Sequence, residues 1–159
     1  MKRFYAVSEG FKKFELLAEN MTHLAELSYL KWYSFDVQIQ SPQGKSEIKM
    51  EGNWNSTLVQ YGYTKNKIRE YKMGWKGMVL TEESGEQYLF KSKMSWNFNY
   101  VLVDKMEKEL VNITAEFSWK SFKTKYIFEI ADDFEADPEL LLGLVHCINY
   151  QAATTAGSS

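Results

Sequence analysis

The sequence predicts a mostly β protein: ten to twelve short antiparallel strands finished by one buried C-terminal helix. Three observations carry this. Most of the chain alternates apolar and polar residues at period two, as a strand with one wet face must. Aromatic residues make up 16% of the chain, with ten Phe, ten Tyr and five Trp, and flat rings suit a pleated surface. The alternation fails decisively only after Asp137, where the chain turns apolar on every side.

Taken in order, the first third is the least regular. Phe14, Leu16 and Ala18 alternate, and so do His23, Ala25, Leu27 and Tyr29. Residues 15–30 also fit helical spacing, but strands are the preferred reading. Phe35, Val37 and Ile39 then share a face, followed by Ser46, Ile48 and Met50. Pro42, Gln43 and Gly44 between them supply turn geometry, so the two runs form a hairpin. Val59, Tyr61 and Tyr63 are expected on one inner face. Met78 and Leu80 follow a break at Gly74 and Gly77, and residues 83–86 form a turn. Tyr88 and Phe90 continue, with Met94 and Trp96 in the same parity. Phe98, Tyr100 and Leu102 open the next strand, which ends at Asp104. The cleanest alternation places Val111, Ile113, Ala115, Phe117 and Trp119 on one side, and Phe122, Tyr126, Phe128 and Ile130 on one side of the strand after it. Short strands in unbroken succession point to a barrel or a sandwich.

The closing segment has helix-start chemistry. Asp137 suits an N-cap, Pro138 the first helical position, and Glu139 the positive end of the helix dipole. No charged residue follows Glu139. A helix apolar all round is buried all round or lies in a membrane. About 15 residues give about 23 Å at 1.5 Å per residue, short for a bilayer but long enough to thread a small barrel. The reading is a single domain over residues 1–153 and a flexible small-residue tail over 154–159.

The length of 159 residues buries enough surface to need no metal or disulfide staple. Net charge is −2, so no global positive field attracts nucleic acid or an acidic membrane. A single cysteine, Cys147, excludes a disulfide framework within the chain and fits a reducing compartment. Residues 1–7 have a basic start without the apolar core of a signal peptide. The three N-glycosylation triplets, at Asn20, Asn55 and Asn112, read as chance, and the expected location is cytoplasmic. No transmembrane segment and no cofactor is expected.

Catalysis finds little to build on. The only histidines are His23 and His146. His146 lies within the apolar segment and reads as a core residue. Cys147 beside it points about 100° away on a helix, so the two form no dyad. A zinc site would want four Cys or His ligands and the chain offers three. No glycine-rich phosphate loop is present. The protein is therefore expected not to be an enzyme.

Two clusters remain. Asp132, Asp133, Glu135 and Asp137 offer the oxygen ligands that calcium prefers, though without EF-hand spacing; the plain alternative is a solvated turn with a helix cap. Lys91 and Lys93 share a face of one strand, and Lys123 and Lys125, with Lys120 nearby, share the outer face of another. Such ladders can hold an anionic headgroup or can simply be solvated.

The order of elements then becomes informative. Amphipathic strands, an aromatic final strand over residues 126–130, an acidic turn and one apolar helix resemble the tubby-like C-terminal superfamily. It comprises tubby domains, phospholipid scramblases and the plant LURP-one-related proteins. The best-matching stretch is residues 87–150. The resemblance implies a twelve-stranded antiparallel barrel around a central hydrophobic helix. It also implies lipid-linked roles: phosphoinositide headgroups held by basic residues on the barrel, or calcium held by an acidic segment before the last helix. Here the acidic spacing departs from the scramblase motif and the final helix is short, which puts scrambling in doubt. The expected function is a binding module for anionic phospholipid headgroups, with a protein-interaction or structural barrel lacking any small-molecule ligand as the alternative.

Overall fold

The computed structural model describes residues 1–10, 12–31, 35–51, 57–93, 99–118, 120–121 and 123–156. Twelve strands precede one helix. They are β1 (Lys2–Glu9), β2 (Lys13–Ala18), β3 (His23–Tyr29), β4 (Val37–Ser41), β5 (Gly44–Glu51), β6 (Thr57–Tyr61), β7 (Lys67–Met73), β8 (Met78–Glu82), β9 (Gln87–Ser92), β10 (Asn99–Val103), β11 (Glu109–Ser118) and β12 (Lys123–Ile130). Each pairs antiparallel with the next, and β12 pairs with β1, closing an up-and-down barrel. Closure removes the exposed strand edges that an open sheet must protect. The α-helix α1 (Pro138–Ala156) completes the chain, and no described helix is long and apolar enough to cross a membrane.

Barrel and helix explain each other. Twelve strands enclose more space than strand side chains alone fill. The helix supplies the missing volume: Leu140, Leu141, Leu142, Leu144, Val145, Cys147 and Ile148 are all buried. They meet Leu16, Leu27, Ile39, Leu58, Leu80 and Phe128 of the wall in one continuous core. A fully buried Leu contributes about 2 kcal/mol, so the helix is a principal source of stability. The expected cap is present: the backbone N–H of Leu140 donates to Asp137 Oδ1 at 2.7 Å. The helix runs on through Ala156, into the small-residue stretch read above as tail.

The inner faces follow the sequence pattern with corrections. β2 and β3 are strands, with Phe14, Leu16, Ala25 and Leu27 inward. In β6 Val59 is buried, but so are Leu58 and Gln60 of the opposite face, and Tyr61 is only half-buried. The alternation misled because Gln60, a core residue, is polar. Met50 is 37% exposed and Phe117 48% exposed; both keep the parity of inner residues but lie near strand ends, beyond the sealed core. His23 is likewise exposed. The readings at Met94, Trp96, Phe98, Trp119 and Phe122 fall outside the described residues. Two strands had no clear apolar signal, β1 and β7. The inner face of β1 ends on Ala6 and Ser8, and β7 turns Arg69 and Tyr71 inward.

Candidate functional site

Antiparallel order sends alternate connections to opposite ends of the barrel. At the end where α1 begins lie the connections β2–β3, β4–β5, β6–β7, β8–β9, β10–β11 and β12–α1. They carry nine carboxylates: Glu19; Glu83 and Glu86; Asp104 and Glu107; and Asp132, Asp133, Glu135 and Asp137. Three lysines oppose them, Lys65, Lys105 and Lys108. At the other end lie β1–β2, β3–β4, β5–β6, β7–β8, β9–β10 and β11–β12. These carry five lysines, Lys12, Lys31, Lys76, Lys93 and Lys120, against one carboxylate, Asp36. A net charge of −2 thus conceals a polarised molecule, with a cationic end and an anionic end.

The five lysines singled out from the sequence do not form one patch on the wall. β10 and β11 separate Lys91 and Lys93 from Lys123 and Lys125. Carboxylates intervene: Lys93 Nζ lies 2.9 Å from Glu109 Oε1, and Lys125 is in register with Glu116. The hydrogen bond from Lys93 holds the Glu109 carboxyl below its usual range. The Lys125 ammonium also sits 4.7 Å from the centre of the Tyr5 ring. What the five share is the cationic end: Lys93 and Lys120 are in its connections, and Lys91, Lys123 and Lys125 are in the strand segments that border it. The same end exposes Trp75, at 91%, together with Leu30, Met73 and Phe117. Sequence reading grouped lysines by strand face; assigning their connections to an end needs the full strand order.

The acidic turn is not gathered into a cation site. Asp132 pairs with the N-terminal ammonium, Asp133 with Lys108, and Asp137 caps the helix. The contact with Lys108 holds the Asp133 carboxyl below its usual range. Among the described residues the one group of candidate metal ligands lies elsewhere, Glu15, His23 and Glu26 on β2 and β3. There Lys13 Nζ already sits 2.9 Å from Glu26 Oε2.

Inside the barrel two polar clusters anchor the helix. Near its start, Arg69 Nε donates to Glu82 Oε1 at 2.8 Å and Nη1 to Gln60 Oε1 at 2.9 Å. The Tyr71 hydroxyl donates to the same Gln60 oxygen at 2.5 Å, and Gln60 Nε2 donates to the Glu139 carbonyl at 3.2 Å. Burial disfavours the charge on Arg69, but Tyr71 and Glu82 outweigh it and keep the guanidinium protonated. Burial also raises the Glu139 carboxyl, against the hydrogen bond from Tyr63. Further along, Asn149 Nδ2 donates to the Tyr29 hydroxyl at 2.9 Å, and that hydroxyl lies 2.8 Å from His146 Nδ1. Asn149 thus leaves the hydroxyl proton for His146, whose ring is then neutral. Burial pulls the His146 pKa down to about 4.

The chemistry open to these groups is limited. Cys147 is fully buried and its thiol is pushed far up by that burial, the opposite of an activated nucleophile. His146 is held as a neutral core residue, as its place in an apolar helix predicts. The open features of the molecule are its two oppositely charged ends.

No protein family, no curated protein and no solved structure matches the chain.

Proposed function

We propose that the protein is a non-enzymatic binding module that recognises anionic phospholipid headgroups through the cationic end of its barrel. The observation that carries this is the separation of charge. Lysines share one end with the exposed Leu30, Met73, Trp75 and Phe117, while carboxylates crowd the other, whose exposed apolar side chains are Met1, Met21 and Met106. Such a molecule turns its cationic end to an acidic surface and its anionic end away. The closed twelve-strand wall around one apolar C-terminal helix also supports the tubby-like resemblance, whose members include headgroup binders.

Magnitudes set what charge can do. Each lysine near an acidic leaflet contributes about 1 kcal/mol. Five give about 5 kcal/mol, a dissociation constant near 0.2 mM. Charge alone therefore yields weak, salt-sensitive association, and the exposed apolar groups of the same end must add to it.

Vesicle co-sedimentation tests the reading, with neutral, phosphatidylserine-containing and phosphoinositide-containing membranes, each with and without calcium. The expected result is binding to anionic vesicles only, weakening as salt rises and indifferent to calcium. Equal, negligible sedimentation with all vesicles would overturn it and favour the protein-interaction barrel. Binding that requires calcium and is lost in Asp133→Asn would move the site to the acidic turn.

A further inference from the structure

We infer that the β7–β8 hairpin tip is a membrane anchor, with Trp75 entering the interfacial layer of an anionic bilayer while the surrounding lysines meet its headgroups. This rests on the headgroup reading above and adds to it an orientation and an inserted residue.

Trp75 is the most exposed large apolar side chain described, at 91%. An indole left so fully in water has no folding role, because almost none of its surface is removed from solvent. Indoles favour the membrane–water interface, where an apolar ring and a polar N–H are both accommodated. The tip is built to hold it out. Gly74 and Gly77 bracket Trp75 and Lys76 and hydrogen-bond to each other across the turn, Gly74 N–H to the Gly77 carbonyl at 2.7 Å. Gly77 has φ +145°, and a Cβ there would sit 2.4 Å from the Phe90 carbonyl oxygen. Only glycine allows the hairpin to press this closely on β9. Lys76 Nζ lies 5.0 Å from the indole centroid, so one two-residue tip presents an aromatic ring and a cation together.

The neighbours agree in chemistry. Met73, Leu30 and Phe117 are exposed at the same end, and Lys12, Lys31 and Lys120 lie in its connections. A cleft of about 310 Å³ runs along the wall from Trp75 and Lys76 at the tip, past Val79 and Leu89, to Asp104 and Lys105 in a connection of the opposite end. Complementary charge selects the occupant, since a basic, indole-bearing end fits an anionic phospholipid surface.

The native thiol, Cys147, is fully buried, so an introduced surface cysteine can be labelled selectively. An environment-sensitive dye is attached in Trp75→Cys and, at the opposite end, in Met106→Cys, where the native residue is 88% exposed. Both are mixed with vesicles of phosphatidylcholine and phosphatidylserine. The dye at position 75 is expected to shift to the blue and to be quenched by interface-labelled lipid, while that at 106 stays unchanged. In parallel, unlabelled Trp75→Ala should bind about tenfold more weakly with the slope of binding against salt unchanged, because no charge is lost. Lys76→Gln should lower that slope. Sedimentation that persists at wild-type affinity in Trp75→Ala, with a silent dye at 75, overturns the anchor and leaves the headgroup reading standing. A response at 106 instead of 75 overturns the orientation. Failure of the unmodified protein to sediment with any vesicle overturns both.

Discussion

Gly143 shows how one residue ties the helix to the wall. A Cβ at this position would lie 2.1 Å from the Tyr71 hydroxyl and 3.0 Å from its ring carbon Cζ. At an ordinary helix position alanine is better than glycine by about 1 kcal/mol. Here the contact reverses the sign: overpacking costs about 3 kcal/mol, so Gly143→Ala should lower the unfolding free energy by about 2 kcal/mol. Tyr71→Phe removes the clashing oxygen. The same glycine substitution should therefore cost less in that background, with a coupling of about 1 kcal/mol in a double-mutant cycle measured by urea unfolding. Additive costs would show that the helix can shift away from β7.

His146 gives the protein a pH-dependent stability of predictable sign. Its pKa is about 4 in the folded state and about 6.5 when unfolded. Between these values the unfolded chain binds the extra proton, so stability falls as pH falls. The loss begins near pH 6.5, is complete near pH 4 and amounts to about 3 kcal/mol. Glu139, whose carboxyl is raised by burial, works in the opposite direction. Comparing the unfolding free energy of wild type and His146→Gln from pH 7 to pH 4 isolates the histidine. The wild type should lose more over this range by about the stated amount; parallel curves would contradict the assignment of a neutral, buried ring.

At the scale of elements, α1 was the most legible part of the sequence. Asp137, Pro138 and the charge-free run after Glu139 announced its start and its burial, and the structure places each as expected. Leu144→Asp should prevent folding, because an unpaired buried charge costs several kcal/mol, comparable to a domain's whole stability. A soluble variant with an unchanged melting temperature would contradict the buried helix. Strands were legible where inner residues are apolar, as in β11 and β12. They were obscure where the barrel turns polar groups inward. Arg69, Tyr71 and Gln60 break the inward pattern of β6 and β7 because they serve a hydrogen-bonded cluster around the helix start, and pattern rules penalise such residues. Arg69→Met removes the donor shared by Glu82 and Gln60. It should cost about 3 kcal/mol, since breaking a buried pair strands its partner; thermal melts of Arg69→Met and Arg69→Lys would show whether a retained charge recovers part of it.

For the whole molecule, the closed barrel was within reach of the sequence and the charged ends were not. Lys91, Lys93, Lys120, Lys123 and Lys125 were visible as clusters, but strand faces were the wrong frame for them. Which connections share an end depends on strand number and order, and two unread strands, β1 and β7, set that parity. The four carboxylates of the acidic turn were also visible, yet their partners, Lys108 and the N-terminal ammonium, come from distant parts of the chain.

The central claim is that a cationic end, not net charge, directs binding. Two double variants change the net charge equally: Lys120→Glu with Lys123→Glu at the cationic end, and Lys105→Glu with Lys108→Glu at the anionic end. Their dissociation constants for phosphatidylserine-containing vesicles, measured at one salt concentration of about 0.1 M, where charges beyond about 10 Å are screened, are the most direct measurement. The first pair should weaken binding at least tenfold and the second by less than a factor of about two. Equal losses in the two pairs would contradict an oriented, end-on encounter with the membrane.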